Sequence, residues 1–236
     1  MWGHCQHIRR WISFLLLVAS ACLSSVSAAD SLLGWSITPA VGVRLVDLNV
    51  TRNSDGFTGT ITNDGSFFGP MYAAINVESP TFLLSDRVGV TVRAHASEVS
   101  LSNQRVRGSG APQQEEEEIK DLGTKVSGYY SYLMPTIFYR TVDRGGDSRF
   151  GLGAGRWKAW FSGDIILAPN GAATVGMPKT PIEGSMEGRT GWYLFWQGRW
   201  PKGLFEISIS NVRLKTSNFK YEMQEINMMF GYHMEF

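Results

Sequence analysis

From residue 34 onward, apolar and polar residues alternate with a period of two, the signature of half-buried β-strands. Trp35, Ile37, Val41, Val43 and Leu45 alternate with Ser36, Thr38, Ala40, Gly42 and Arg44. Met71, Ala73, Ile75 and Val77 alternate with Tyr72, Ala74, Asn76 and Glu78. Val88, Val90, Val92, Ala94 and Ala96 alternate with Gly89, Thr91, Arg93, His95 and Ser97. Phe205, Ile207 and Ile209 repeat the pattern, and Ile226 to Phe236 gives its cleanest instance. Two central stretches are mixed. Around 124–140 both faces are aromatic-rich. Phe150, Leu152 and Ala154 set one parity, whereas Trp157 and Phe161 suggest the other, which predicts a bulge near Gly155. Eight strands are predicted, near 34–50, 70–83, 88–103, 123–140, 148–166, 190–199, 203–215 and 218–236.

Most of these strands are ten residues or longer, whereas globular strands usually run about five or six. A tilted strand needs roughly 9–11 residues to cross a bilayer. The connectors alternate in length. Residues 51–69, 104–122 and 168–189 form long polar loops, while 84–87, 141–147 and 200–202 are short turns. Short turns at one end and long loops at the other are the pattern of an outer-membrane barrel. Backbone groups in hydrocarbon must all be paired, and closing eight strands into a ring achieves this. The reading is therefore all-β: an eight-stranded antiparallel up-and-down transmembrane β-barrel after a cleaved signal peptide. The polar parity then faces the lumen, which places Arg44, Glu78, Arg93, His95, Glu206, His233 and Glu235 inside. Arg156 and Lys158 join them if the bulge exists. Trp35, Tyr139, Phe150, Trp196, Trp200 and Phe236 mark one membrane boundary, and Trp160, Phe161 and Trp192 the other.

Residues 1–28 read as a secretory signal, with Arg9 and Arg10 before the apolar run Trp11–Ala21 and a Val26-Ser27-Ala28 cleavage site. Two domains follow: the signal, 1–28, and the barrel, 29–236. An anchor helix is one alternative; cleavage before Cys22 with lipidation is another. The signal also distorts the composition. Its removal turns the formal net charge from +1 to −1 and takes both cysteines, Cys5 and Cys22. The mature chain then has no thiol for catalysis or metal ligation. Its near-neutral charge gives no case for nucleic-acid binding.

The chain end, Gly231-Tyr232-His233-Met234-Glu235-Phe236, resembles the terminal assembly signal of bacterial outer-membrane proteins, with Gly231, Tyr232, Met234 and Phe236 at its characteristic positions. Met229 stands where that pattern usually has a polar residue. Arg149-Phe-Gly-Leu-Gly-Ala-Gly155 is similar to the Gly-alternating strand of small porin-like barrels. The mature chain thus resembles the eight-stranded superfamily of outer membrane proteins A, X and W. That resemblance implies insertion by the barrel assembly machinery into a Gram-negative outer membrane, with its lipids and lipopolysaccharide as surroundings. It implies no particular activity.

Candidate chemistry is sparse. His95 and Ser97 share a strand face, as in a base-assisted serine nucleophile. Glu98, the acid that could orient His95, faces away, and a hydrogen-bonded lumen histidine is the competing reading. His233 and Glu235 lack a third partner for a metal. Glu78, Arg93, Arg44 and Glu206 could gate a narrow pore or form a salt-bridged plug. Phe67-Phe68 could be an exposed binding tip or packing on the barrel mouth. The glycines at 151–155 sit in a strand without a following helix, so they are no nucleotide loop; small residues there relieve crowding inside the barrel. No cofactor and no metal is expected. The leading expectation is a non-enzymatic barrel acting through loops 51–69, 104–122 and 168–189 on a surface ligand or in envelope integrity. The alternatives are a narrow channel for small or hydrophobic solutes and a lipid A-modifying acyl hydrolase using His95 and Ser97.

Overall fold

The computed structural model describes residues 34–63, 71–107, 117–143 and 146–236. Residues 1–28, with Cys22, and the Phe67-Phe68 pair lie outside the described residues. The strands are β1 (Ser36–Arg52), β2 (Thr58–Thr62), β3 (Met71–Glu78), β4 (Phe82–Leu83), β5 (Val88–Leu101), β6 (Asn103–Arg107), β7 (Glu117–Lys120), β8 (Lys125–Asp143), β9 (Gly146–Ile166), β10 (Lys179–Trp200), β11 (Gly203–Lys215), β12 (Phe219–Tyr232) and β13 (Met234–Glu235). All pairings are antiparallel. The ring runs β1-β3-β5-β8-β9-β10-β11-β12 and closes from β12 back to β1, with Ala40 opposite Gly231 and Arg52 opposite Phe219. Eight staves therefore form a closed barrel with an up-and-down order, and closure leaves the ring no free edge. No helix among the described residues is long and apolar enough to cross a membrane.

Gly34, where the described residues begin, Phe236 and the short turns share one end, here the terminal end. Gly34 N–H donates to the Phe236 carbonyl (2.5 Å) and Phe236 N–H to the Trp35 carbonyl (2.9 Å), so the last residue is stitched to the first strand. The other end is the distal end. There β2 continues the β3 stave and pairs with β1, while β6 pairs with β2 and β7 with β6. Thr58 and Ala168 exchange backbone hydrogen bonds of 3.0 Å, and the Gln104 side chain bonds both N–H and C=O of Ile166 at 3.0 Å. Because β9 lies opposite β1 in the ring, these bonds draw β2 and β6 across the barrel mouth. Val106, Ile166, Ala168 and Ala173 seal the joint with a small apolar cluster. Arg52 and Asp55 pair at 2.6 Å in the β1–β2 turn, and that guanidinium holds the Asp55 carboxyl below its ordinary range.

Two expectations need correction. Much of the predicted loop sequence is strand: Thr58–Thr62, Asn103–Arg107, Glu117–Lys120 and the first half of β10. The bulge is also displaced. In β9 the parity is unbroken, with Gly151, Gly153, Trp157, Ala159 and Phe161 all inward. The register shift lies in β10, between Gly188 and Gly191, opposite Trp157 and Gly155. It turns Ile182 and Met186 on one side, and Tyr193 and Phe195 on the other, to the same interior.

The physical reason is a change of surroundings along each strand. Near the terminal end the outward positions are apolar: Val41, Val92, Leu133, Ile137, Leu152, Ile207, Ile226 and Phe230 are all more than 40% exposed. One level higher the outward face turns polar, at Asp47 after Leu45, Glu98 after Ala96, Ser131 before Leu133, Arg156 after Ala154, Asn211 after Ile209 and Gln224 before Ile226. The inward face changes oppositely at the same level. Arg44 gives way to Val46, Ser97 to Val99, Ser210 to Val212 and Glu225 to Met223. Both faces exchange polarity at one plane. The distal half has a polar exterior around an apolar core of Val46, Leu48, Val50, Phe161, Ile182, Met186 and their neighbours.

Candidate functional site

The interior of the terminal half is filled with paired charges. Arg93, 1% exposed, is held between Glu206 (2.5 Å) and Glu78 (3.0 Å). Glu78 also receives Arg199 and, at 3.9 Å, Arg149. Glu206 accepts hydrogen bonds from Gln197 (3.0 Å) and Tyr193. Arg149 is paired with Asp147 at 3.0 Å. Rings cover the guanidinium planes: Arg93 lies 4.7 Å from the Phe195 centroid and Arg149 4.7 Å from that of Phe138. One layer higher, Arg44 pairs with Glu225 at 3.5 Å, donates to Tyr130 at 3.1 Å and stacks 3.8 Å from the Tyr72 centroid. Tyr130 donates to Glu225 at 2.5 Å. Opposite charges this deeply buried need pairing and hydrogen bonds; every charge named here is paired, and the hydrogen bonding is left incomplete at Arg93 Nε and Glu225 Oε1.

Aromatic rings connect the two charge clusters, since Tyr193 reaches Glu206 at one end and Tyr130 reaches Glu225 at the other. His95 stacks on Tyr132 at 4.8 Å between centroids, and Trp157 and Tyr193 lie tilted against Tyr132 at 4.6 Å and 5.5 Å. Glycines make room. A Cβ on Gly151 would lie 2.6 Å from the Phe138 Cβ, and one on Gly155 2.4 Å from the Met134 Cβ. From end to end the lumen passes through ion pairs interleaved with aromatic rings, then aliphatic core, and then meets the strands that cross its mouth.

The predicted lumen residues fall into two groups. Arg44, Glu78, Arg93, His95, Glu206 and His233 are buried inside the barrel. Arg156 and Lys158 are outside: both are exposed, and Lys158 pairs with Glu187 at 3.6 Å across the outer wall. Their expected inward turn rested on keeping Trp157 and Phe161 in contact with lipid. These rings instead enter the apolar core of the distal half, which leaves the intervening cations on the exposed outer wall. Glu235 is exposed at the terminal rim and joins no buried pair. His233 is bonded to Thr38 at 3.1 Å, and no group of three potential metal ligands occurs among the described residues.

His95 and Ser97 do share a face, but no hydrogen bond joins them. The Nδ1 of His95 is bonded to Asn76 at 2.6 Å, and the Oγ of Ser97 accepts from Arg44 at 2.8 Å. Activating a serine requires a base at its proton. Here the hydroxyl donates instead towards backbone carbonyls of Ala73 and Glu98, each at 3.3 Å.

No family model and no curated protein sequence matches the chain. Solved structures do. Ail, the attachment invasion locus protein of Yersinia pestis, in complex with the heparin analogue sucrose octasulfate, is 12% identical over 86% of this chain and 100% of its own, with a TM-score of 0.36. Neisserial surface protein A is 9% identical over 86% of this chain and 97% of its own, with a TM-score of 0.39. The eight-stave ring itself rests on this chain's own register.

Glu225, Arg149, Arg199, Tyr130 and Gln197 complete the plug but were not singled out from sequence. Three carried a legible signal. Glu225 continues the inward parity of Asn227 and Met229 by one step. Arg199 continues that of Gln197, and Arg149 that of Gly151.

Proposed function

We propose that the chain is a non-enzymatic outer-membrane barrel of a Gram-negative bacterium, exported by residues 1–28 and inserted by the barrel assembly machinery. Its terminal half spans the lipid, and its distal half stands outside the cell as a rigid platform for surface interaction or envelope integrity. One observation carries this reading: the exchange of polarity on both strand faces at a single plane. An apolar outside around a polar inside suits hydrocarbon, and a polar outside around an apolar inside suits water. The lipid-facing span from Ile37 to Leu45 is about nine positions, close to the roughly 9–11 that a membrane strand needs. Tyr139, Phe150, Trp196 and Trp200 supply the girdle near the terminal turns, and Tyr129 stacked on Trp160 (5.8 Å) supports a second one at the plane of exchange. The paired interior weighs against the channel reading, and the Arg44–Ser97 contact against the hydrolase reading.

Cysteine labelling tests the placement, since removal of 1–28 leaves no native thiol. Ser54→Cys, in the β1–β2 turn, should react with a membrane-impermeant maleimide on intact cells. Asp86→Cys, in the β4–β5 turn, should react only after the envelope is permeabilised. Equal labelling of both on intact cells, or recovery of the protein in the soluble periplasmic fraction, would overturn the reading.

A further inference from the structure

A groove of about 380 Å³ lies on the outside of the barrel astride the plane where the exterior changes polarity. Its lower wall is apolar, from Leu45, Ile209 and Ile226. The register sets the next row up directly above: Trp192 opposite Asn211, Asn211 opposite Gln224, and Gln224 opposite Asp47. The β6–β7 hairpin closes the groove with Arg105 and its cross-strand partner Ile119.

The position restricts the occupant. Given the membrane placement proposed above, on which this inference rests, the lower wall continues the lipid-facing belt and the upper wall lies among headgroups. A lipid occupies both layers at once, chain below and headgroup above, and a groove of about 380 Å³ is on the scale of one small ligand rather than of a protein segment. The chemistry of the upper wall restricts the headgroup. The two charged groups in the lining whose side chains face the groove neutralise each other, Arg105 pairing with Asp47 at 3.0 Å. What remains on the outward face is amide and indole: Gln224, Asn211, whose Nδ2 donates to Glu222 at 3.1 Å, and the half-exposed ring of Trp192. Amides with an aromatic face offer donors and acceptors to uncharged hydroxyls and a flat surface to C–H groups. They offer little to a phosphate, which favours unpaired Arg and Lys.

We propose that this groove binds an outer-leaflet glycolipid, with an acyl chain along Leu45, Ile209 and Ile226 and an uncharged sugar against Trp192, Asn211 and Gln224. Such a site would fix one lipid against the β10–β11–β12–β1 wall and leave the β8–β9 wall, with Arg156 and Lys158, to bulk headgroups.

The test uses the full mature barrel in nanodiscs that contain equal mole fractions of monogalactosyl diacylglycerol, phosphatidylethanolamine and phosphatidylglycerol, read by native mass spectrometry. The wild type should retain the galactosyl lipid at least threefold over either phospholipid. Asn211→Ala with Gln224→Ala should abolish that preference, and Trp192→Ala should reduce it. All variants should keep the gel-mobility shift of a folded barrel, which separates loss of the site from loss of the fold. Uniform retention of the three lipids by the wild type, preference for phosphatidylglycerol, or a preference unchanged in the double variant would each overturn the proposal. A barrel that folds in detergent but never enters the nanodisc would instead sink the membrane placement itself, and the site with it.

Discussion

Arg93 shows what burial demands of a single side chain. It is flanked by Glu78 and Glu206, and Glu206 has three donors of its own. Replacing Glu206 with Ala leaves a buried guanidinium short of one counter-charge. This should lower stability by about 3–5 kcal/mol, the range for breaking one partner of a buried pair. Glu206→Gln keeps the hydrogen-bond geometry and should cost less. The ranking can be read from urea midpoints of the folded-barrel gel shift. The sequence disclosed the charges of this cluster but not their partners. Period two says that Arg93 and Glu206 point inward. It cannot say that they meet, because their strands are not ring neighbours and the distance between them depends on how the barrel closes. Ser97 is similar: its parity was legible, but the guanidinium of Arg44 on its oxygen was not.

At the scale of the strand, the lesson lies in β9. Phe150 and Leu152 face outward, Trp157 and Phe161 inward, and no bulge intervenes. A rule that apolar residues keep one side fails when, as proposed, the strand passes from lipid into water, because the side that must be apolar changes. The signal was present in the sequence as an apparent fault in periodicity. That fault reflects an exchange of polarity between the two faces and not a bulge in β9. The same strand logic makes a paired prediction on β1. Val41→Arg places a cation in the lipid-facing belt and should cost about 2–4 kcal/mol if it lies near the midplane. Asn49→Arg, on the same outward face above the plane of exchange, should change stability by no more than about 0.5 kcal/mol. Folding titrations into lipid vesicles would measure both. Equal costs would contradict the position of that plane.

For the whole molecule, the number of staves, their direction and the shared end of Trp35 and Phe236 were legible in the alternation and connector lengths. The distal closure was not. Strands as short as Thr58–Thr62 and Glu117–Lys120 read as loop by composition, and their pairing depends on contacts distant in sequence. With the lumen packed throughout, purified protein in planar bilayers should show no steady conductance above baseline. Discrete, reproducible openings would revive the channel reading. Removal of Phe236 deletes the residue whose backbone bonds Gly34 and Trp35. The truncated chain should assemble poorly, seen as a larger share of unfolded protein in the membrane fraction. Normal assembly would argue against a role for the terminal segment.

The staves are also unequal in height. β11 ends at Lys215, opposite Glu187, whereas β10 runs on through Lys179–Met186 in partnership with β9 alone. That surplus is roughly 20 Å at the usual rise and tilt. A bacterium coated in long surface polysaccharide would therefore expose this protein unevenly: a tall flank emerging through the sugar canopy and a low flank sheltered beneath it. An antibody against the β9–β10 connection around the exposed Val175, at the top of the tall flank, should reach intact cells whatever the length of that coat. One against Ser217 should bind only when the polysaccharide is truncated. The slant of the rim would then decide which part of the molecule the immune system meets first.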